Sequence, residues 1–249
     1  MRLPTIFLDD GGVMNDNDIR GRQWEALVAE YLAPRLGGEP ARWGEANRIV
    51  AERLWAEYSE RMAARPQDGY RRAWDAFLTR WFKEMCVLVG VTAPPDEECR
   101  SLSIETSAYV TPRIRSAYPG AIDAIRELHD RGYPLRSASG EPSDHLEGYL
   151  TGMGVRECFA GVLYGPDTID TPKSHPLYYQ RIFEHAAVAP ADAIVVDNEV
   201  EALANAAGAG ASTVIVSADG ASHARIATIA SLSDLPDLLQ SSISAPGAA

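Results

Sequence analysis

Apolar residues follow two different rhythms along this chain. In one, short β-favouring runs stop abruptly at polar or glycine-rich steps; in the other, apolar positions recur at helical spacing. Residues 5–8 (Thr-Ile-Phe-Leu) are such a run and end at Asp9-Asp10-Gly11-Gly12, which reads as a buried strand opening into a polar loop. From about 18 to 109 the helical rhythm takes over, first in Trp24, Leu27, Val28 and Tyr31, then in Ile49, Leu54, Trp55 and Tyr58, then in Trp74, Phe77, Leu78, Trp81 and Phe82. All five tryptophans fall here, and the stretch predicts a helical module broken near Leu36-Gly37-Gly38 and Pro94-Pro95. After Pro112 the short runs return and alternate with helical segments. A helix through Ile122, Ile125 and Leu128 leads to a strand at 134–138, then a helix at 143–152, a strand at 161–164 and a helix at about 176–187. The clearest strand, 193–196, is closed by Asp197; a helix from Leu203 to Ala207, strands at 213–216 and 226–229, and a helix at 233–240 complete the order.

Strands alternating with helices imply a mainly parallel sheet covered on both faces. The fold class is therefore α/β, a Rossmann-like three-layer α/β/α core interrupted after its first strand by helices. The expected division is a core from residues 1–16 and 111–240, a helical cap from 17–110, and a frayed tail at 241–249 made of small and polar residues. In open sheets of this kind ligands bind beyond the carboxyl ends of the strands. Asp9, Ser139 and Asp197 all stand at predicted strand ends.

Composition narrows the partners. At 46% hydrophobic residues the chain can bury a large core. A formal net charge of −12 repels phosphate backbones and offers anionic membranes no basic face, so nucleic acid and membrane are not expected partners. A small phosphorylated metabolite is still compatible, because a site needs only a few placed donors and a metal. Cys86, Cys99 and Cys158 are odd in number and widely spaced, which gives neither a disulfide framework nor a zinc knuckle and fits a reducing cytoplasm. The first apolar stretch runs straight into Asp9-Asp10, unlike a signal peptide. Monomer and homodimer both stay open.

Each polar motif has an ordinary reading when taken alone. Asp9-Asp10-Gly11-Gly12 is an adequate self-capped turn, Ser139 an adequate helix cap, Lys173 a surface charge, and the acids of Asp197-Asn198-Glu199-Val200-Glu201 an acidic helix start. Together, in order and on strand ends, they resemble the haloacid dehalogenase superfamily, whose members are mostly phosphatases. The resemblance covers the chain apart from the helical stretch. It implies that Asp9, in Phe7-Leu8-Asp9-Asp10-Gly11-Gly12-Val13, is a nucleophile. It implies that Ser139, in Leu135-Arg136-Ser137-Ala138-Ser139-Gly140, holds a phosphate oxygen, with the Gly140 N–H beside it, and that Gly11 and Gly12 line the same subsite. Lys173, in Thr171-Pro172-Lys173-Ser174-His175-Pro176, is implied to pair with the nucleophile and the phosphoryl group. Magnesium is implied on Asp9, the Gly11 carbonyl and Asp197, with Glu201 as a further acid and Glu199 competing for that role. The helical stretch resembles the family's cap, which closes over the site.

One position departs from the family. Most of its phosphatases carry a second aspartate, the general acid and base, two residues after the nucleophile; Gly11 stands there. General acid help is worth roughly 10²–10⁴-fold in rate. Asp10 points the other way by strand alternation, and Asp16, His175 or a water are the other candidates. The expected activity is magnesium-dependent hydrolysis of a small phosphate monoester. The alternatives are a 2-haloacid dehalogenase, although those tend to carry an aromatic residue at the place of Gly11, and a binding or regulatory relative. His129 and His185 fall on helices, His145 and His223 have no partner pattern, and the tryptophans are assigned to the core of the helical stretch. Arg20 and Arg22 follow the first motif closely, which leaves open a place facing the substrate, but as helix residues they are read as solvated charges.

Overall fold

The structure is a computed structural model that describes residues 3–64, 69–218, 220 and 226–244. Strand β1 (Thr5–Leu8) is followed by four long helices, α1 (Asn17–Leu36), α2 (Pro40–Ala64), α3 (Tyr70–Val89) and α4 (Asp96–Val110). Then come α5 (Ala121–Asp130), β2 (Leu135–Ser137), α6 (Ser143–Met153), α7 (Pro166–Ile169) and α8 (Tyr178–Ala186). β3 (Ala193–Asp197), α9 (Val200–Gly208), β4 (Ser212–Val216), β5 (Ala227–Ile229) and α10 (Leu235–Ser244) close the order. The five strands form one sheet, ordered β2-β1-β3-β4-β5, in which each neighbouring pair is parallel.

Strand alternation explains the layers. Ile6 and Leu8 turn to one face, where they pack with Leu135 and Val196 against Ile125 and Leu128 of α5 and Leu146 and Leu150 of α6. Phe7 turns to the other face and joins Val195 and Ile215 against Tyr178, Tyr179 and Phe183 of α8 and Leu203 of α9. With both faces covered, β1 is buried along its whole length and reads as continuous apolar sequence. Helices α1 to α4 bury a third apolar cluster of their own, from Val28 and Trp43 to Phe82 and Cys99, and Tyr149 of α6 belongs to it.

The loop after β1 explains how the chain leaves the sheet. The N–H groups of Val13, Met14 and Asn15 all turn onto the Asp10 carbonyl, and Gly12, at φ +84°, donates to the Asn15 carbonyl. Asp16 then caps α1, accepting from the N–H groups of Asp18 and Ile19; such a cap contributes about 1 kcal/mol.

Two expectations need correction. Residues 161–164 do not form a ladder strand. Phe159 makes a single bridge to Leu135, Gly161 sits at φ +65°, and Tyr164 gives its N–H to the Ser137 hydroxyl at 2.7 Å. A side chain takes the place of a backbone carbonyl there, so the segment runs beside β2 without pairing in register. The second concerns the tail: α10 continues to Ser244, so residues 241–244 are helical, while 245–249 lie outside the described residues. His223 lies outside them too. Among the described residues, no helix is long and apolar enough to cross a membrane.

Candidate active site

Sheet register decides which residues meet. Leu8 pairs with Val196 on one side and Ser137 on the other, so Asp9 is level with Asp197 and with Ala138, one residue short of Ser139. The Asp9 N–H still binds the Val196 carbonyl at 3.0 Å, which fixes the residue at the strand end. Lys173 reaches in from the loop before α8, and its Nζ lies 2.8 Å from Asp9 Oδ1 and 2.8 Å from Asp197 Oδ2. The lysine side chain is 11% exposed, that of Asp9 6% and that of Asp197 0%.

This triad is short of positive charge. Burial raises the Asp9 pKa against the pull of Lys173, and Asp197 and Asp10 raise it further. Burial alone would depress Lys173, but its two carboxylate partners outweigh that and hold it firmly protonated. Asp197 also accepts from the Tyr179 hydroxyl at 3.1 Å and from the Glu199 N–H at 2.9 Å. Burial and the adjacent carboxylates keep the Tyr178 and Tyr179 phenols neutral.

Ser139 is buried one step further along. Its hydroxyl accepts from the Glu141 N–H at 3.2 Å, and its carbonyl accepts from the Tyr178 hydroxyl at 2.7 Å. Gly140 brings this loop to the triad: a Cβ there would lie 3.8 Å from Lys173 Cδ, in ordinary contact. Gly12 packs against Asn198, whose side-chain nitrogen would lie 2.5 Å from an added Cβ, so the loop after β1 and the loop after β3 touch. The backbone bonds of the first loop end on the Asp10 and Asn15 carbonyls and leave the Gly11 carbonyl outside them. Glu199 and Glu201 are both exposed, at the cap and in the first turn of α9, and they are not part of the buried triad.

Several residues passed over in the sequence prove central. Arg20, read as solvated, has a side chain only 11% exposed, makes an ion pair with the fully buried Asp10, and lies 3.3 Å from Glu141 Oε1. Asn15 binds the other oxygen of Asp10 at 2.7 Å and is itself held by the Ser116 hydroxyl. Glu141 in turn accepts from or faces His145 Nδ1 at 3.2 Å. Burial pushes Asp10 upward despite Arg20. Burial also acts to raise Glu141, but Arg20 and His145 outweigh it and hold that carboxyl at about 2. Asp10 also has two donors, Arg20 and Asn15, but it is fully buried and faces the Glu141 charge, whereas the Glu141 side chain is a fifth exposed (21%). One sequence signal was available for Arg20: it stands on the first turn of α1, directly after the first motif. Asp10 points away from Asp9, as alternation requires. Asp16 Oδ1 is committed to its cap, and His175 Nδ1 accepts from the Leu177 N–H.

A buried aspartate at the end of β1 is thus bonded to a lysine that also holds an aspartate at the end of the neighbouring strand β3. A model of haloacid dehalogenase-like hydrolases matches residues 14–210. The chain belongs to that family. The match begins five residues after Asp9 and includes Ser139, Lys173 and Asp197. Comparison with curated proteins returns no match. Among solved structures, a 2-haloacid dehalogenase from Pseudomonas syringae pv. Tomato DC3000 is similar at TM-score 0.66 and 18% identity, covering 96% of this chain and 99% of that one. L-2-haloacid dehalogenase from Xanthobacter autotrophicus is similar at TM-score 0.61 and 18% identity over 96% and 99%. A HAD phosphatase from Thermococcus onnurineus is similar at TM-score 0.57 and 18% identity over 95% and 98%. At these identities the likeness establishes the fold. The chain is thus a hydrolase of this family on a Rossmann-like α/β core.

Proposed function

We propose that this hydrolase cleaves small phosphate monoesters, with Asp9 as nucleophile and magnesium as cofactor, and that helices α1 to α4 form a cap over a core built by the rest of the chain. The observation that carries the reading is the pair of buried carboxylates, Asp9 and Asp197, sharing the single Lys173 ammonium. A carboxylate offers about four acceptor sites. Asp197 uses three, on Lys173, Tyr179 and the Glu199 N–H, and Asp9 uses one. Both therefore keep capacity for a cation, and the Gly11 carbonyl adds a neutral oxygen. Such an all-oxygen donor set, with a net negative charge, fits a hard divalent ion. Bound there, magnesium supplies charge neutralisation for the phosphoryl oxygens.

The protein's own groups account for the remaining chemistry. An Asp9 carboxylate oxygen forms a bond to phosphorus as the ester P–O bond breaks, and the departing oxygen leaves as an anion that takes its proton from water. Lys173, the Ser139 hydroxyl and the Gly140 N–H hold the phosphoryl oxygens in place. Water then attacks the aspartyl-phosphate, releasing phosphate and restoring Asp9. Leaving groups that depart as stable anions suit a site with Gly11 in place of an acid.

A second reading, hydrolysis of a 2-haloacid with halide release, draws on the same triad, because Lys173 already compensates one of the two carboxylates without a metal. A panel of phosphate esters and 2-haloacids, assayed with magnesium and with EDTA, separates the readings. Phosphate release that needs magnesium and vanishes in Asp9→Asn supports the first. Halide release that persists in EDTA overturns it in favour of the second, and Asp9→Asn with full phosphatase activity removes Asp9 from its role.

A further inference from the structure

Beside the nucleophile loop lies a cavity of about 580 Å³, within the size range of small-molecule sites. Its walls come from the helical insert, and they are aromatic. Trp24, Trp55, Trp74 and Phe77 line it. Trp74 and Phe77 stack at 4.9 Å and 18°, and Trp55 lies 5.6 Å from Trp74 at 33°. These rings are held in fixed orientations: the Trp24 indole N–H donates to the Tyr149 hydroxyl at 2.8 Å. Trp24 and Trp55 are only half-buried, because part of their faces looks into the cavity. The tryptophans thus serve more than the core of the insert, which was their whole role in the sequence reading.

The floor is polar and connected to the chemistry. Arg20, Glu141 and His145 line it, and His145 sits between the rings of Trp24, at 5.5 Å, and Trp74, at 5.7 Å. Its Nδ1 is engaged by Glu141. Its Nε2 is buried with no hydrogen-bond partner, on a side chain only 9% exposed. A buried polar atom left unpaired is costly and uncommon, and this one belongs to a side chain that lines an aromatic chamber. Glu141 also gives its backbone N–H to the Ser139 hydroxyl, and Arg20 pairs with Asp10, the residue after Asp9. Asn17 and Arg20 line the cavity and also crowd Gly11, where an added Cβ would lie 2.5 Å from Asn17 Oδ1.

We infer that this cavity binds a planar aromatic or heteroaromatic group, carrying a hydrogen-bonding atom on its edge that pairs with His145 Nε2, and that this group is the organic part of the substrate. The inference rests on Asp9 as the reacting residue only for its last clause. Flat rings gain from the aromatic walls both by burial and by offset or edge-on contact. The edge atom supplies the missing partner of His145, whose ring is oriented by Glu141. His145 is a specificity residue in this scheme; it selects the substrate and takes no part in bond breaking.

The test uses the full-length Asp9→Asn protein without metal, so that binding is read independently of any turnover. It is titrated with 2-naphthol, with naphthalene and with 2-cyclohexylethanol, by tryptophan fluorescence quenching and calorimetry. Saturable binding of 2-naphthol, at least tenfold tighter than 2-cyclohexylethanol, is expected. A further His145→Phe change should weaken 2-naphthol about tenfold and alter naphthalene less than threefold, with His145→Gln restoring part of the loss. In the protein with His145 intact, the ¹⁵N resonance of its Nε2 should shift on adding 2-naphthol and stay in place with naphthalene, which keeps the test decisive even if the His145 variants do not fold. No saturable 2-naphthol binding, equal binding of 2-cyclohexylethanol, or an unmoved His145 resonance would overturn the inference. A failed phosphatase assay with aromatic binding intact would instead count against the phosphate reading alone.

Discussion

Replacing Arg20 by methionine removes one guanidinium from the side of two carboxylates, and the cost can be worked from the contacts. Arg20 pairs with Asp10, whose side chain is fully buried, and stands 3.3 Å from Glu141; its guanidinium also lies 5.1 Å above the Tyr149 ring. Methionine keeps much of the packing and takes away the charge. Breaking a buried pair from one side costs about 3–5 kcal/mol, because the surviving charge is stranded. Against a total stability of about 5–15 kcal/mol this is a large fraction. In urea, with a slope of about 2–3 kcal/mol per molar for a chain of this size, the midpoint should fall by roughly 1.5 M at pH 7.5 with the slope unchanged. The loss should shrink at pH 5. Burial already holds Asp10 above its unfolded value; without Arg20 it rises further and Glu141 rises with it, so the folded state binds more protons and gains stability as pH falls through them. Adding Asp10→Asn should recover part of the loss, since only Glu141, still held by His145, then lacks its guanidinium. Equilibrium unfolding followed by tryptophan fluorescence measures all three. A loss under about 1 kcal/mol, equal at both pH values, would show that water screens this cluster and that the charges are not buried in the sense argued here.

Glu141 gives a pH signature in the parent protein: its folded pKa of about 2 lies below the ordinary 4.5, so its stabilisation is present above 4.5 and is lost as pH falls toward 2. The loss should be at most about 3 kcal/mol, at 1.36 kcal/mol per pKa unit, and Glu141→Gln should flatten that part of the acid unfolding curve. Asp197→Asn removes one carboxylate charge from the triad; under the phosphatase reading the magnesium needed for half-maximal activity should rise at least tenfold, and an unchanged requirement in a metal titration would exclude Asp197 as a ligand. Restoring the family's acid by Gly11→Asp should not raise activity in the parent background: its Cβ would lie 2.5 Å from Asn17 Oδ1 and 2.9 Å from Arg20 Nη2, so both side chain ends must move, and the new carboxylate would draw Arg20 from Asp10 and Glu141. Turnover of a phosphate ester with a poor leaving group should fall or stay flat, and a tenfold gain would show that the space at Gly11 is open.

The sheet was legible because its strands are buried on both faces, so that Ile6-Phe7-Leu8 and Ile194-Val195-Val196 need no alternation to be recognised. The segment 161–164 misled for a physical reason: its apolar residues do pack, but the Ser137 hydroxyl takes the Tyr164 N–H that a ladder would require. The approach of Asp9, Lys173 and Asp197 could be anticipated from strand ends and motif order. The role of Arg20 could not. A charged residue on the first turn of a helix is solvated by default, and its burial here depends on three partners, Asp10, Glu141 and Tyr149, that come from separate parts of the chain. His145 was missed for the same reason, since its environment is built from α1, α3 and α6.

Gly11 and Arg20 are best understood as one feature. The absence of an aspartate at residue 11 reads in sequence as a missing acid, a simple deletion of function. In the fold the space beside Gly11 is filled by the side chains of Asn17 and Arg20, and Arg20 uses that position to connect Asp10 to Glu141. A carboxylate at residue 11 would add a third negative charge to one guanidinium and would displace the contact that holds Glu141. A glycine at residue 11 therefore leaves the charge network undisturbed, and that network reaches the floor of the aromatic cavity by way of Glu141 and His145. This links the chemistry to the selection of substrate. A site without a built-in acid turns over fastest with leaving groups that depart as stable anions, and an aryl oxygen is a far better such group than an alkyl one. Under the phosphatase reading the aromatic chamber and the glycine point to the same kind of substrate, one through binding and one through bond breaking. Aryl and alkyl phosphates compared in the parent protein should differ more in kcat than in KM if Gly11 governs the difference, and more in KM if the cavity does.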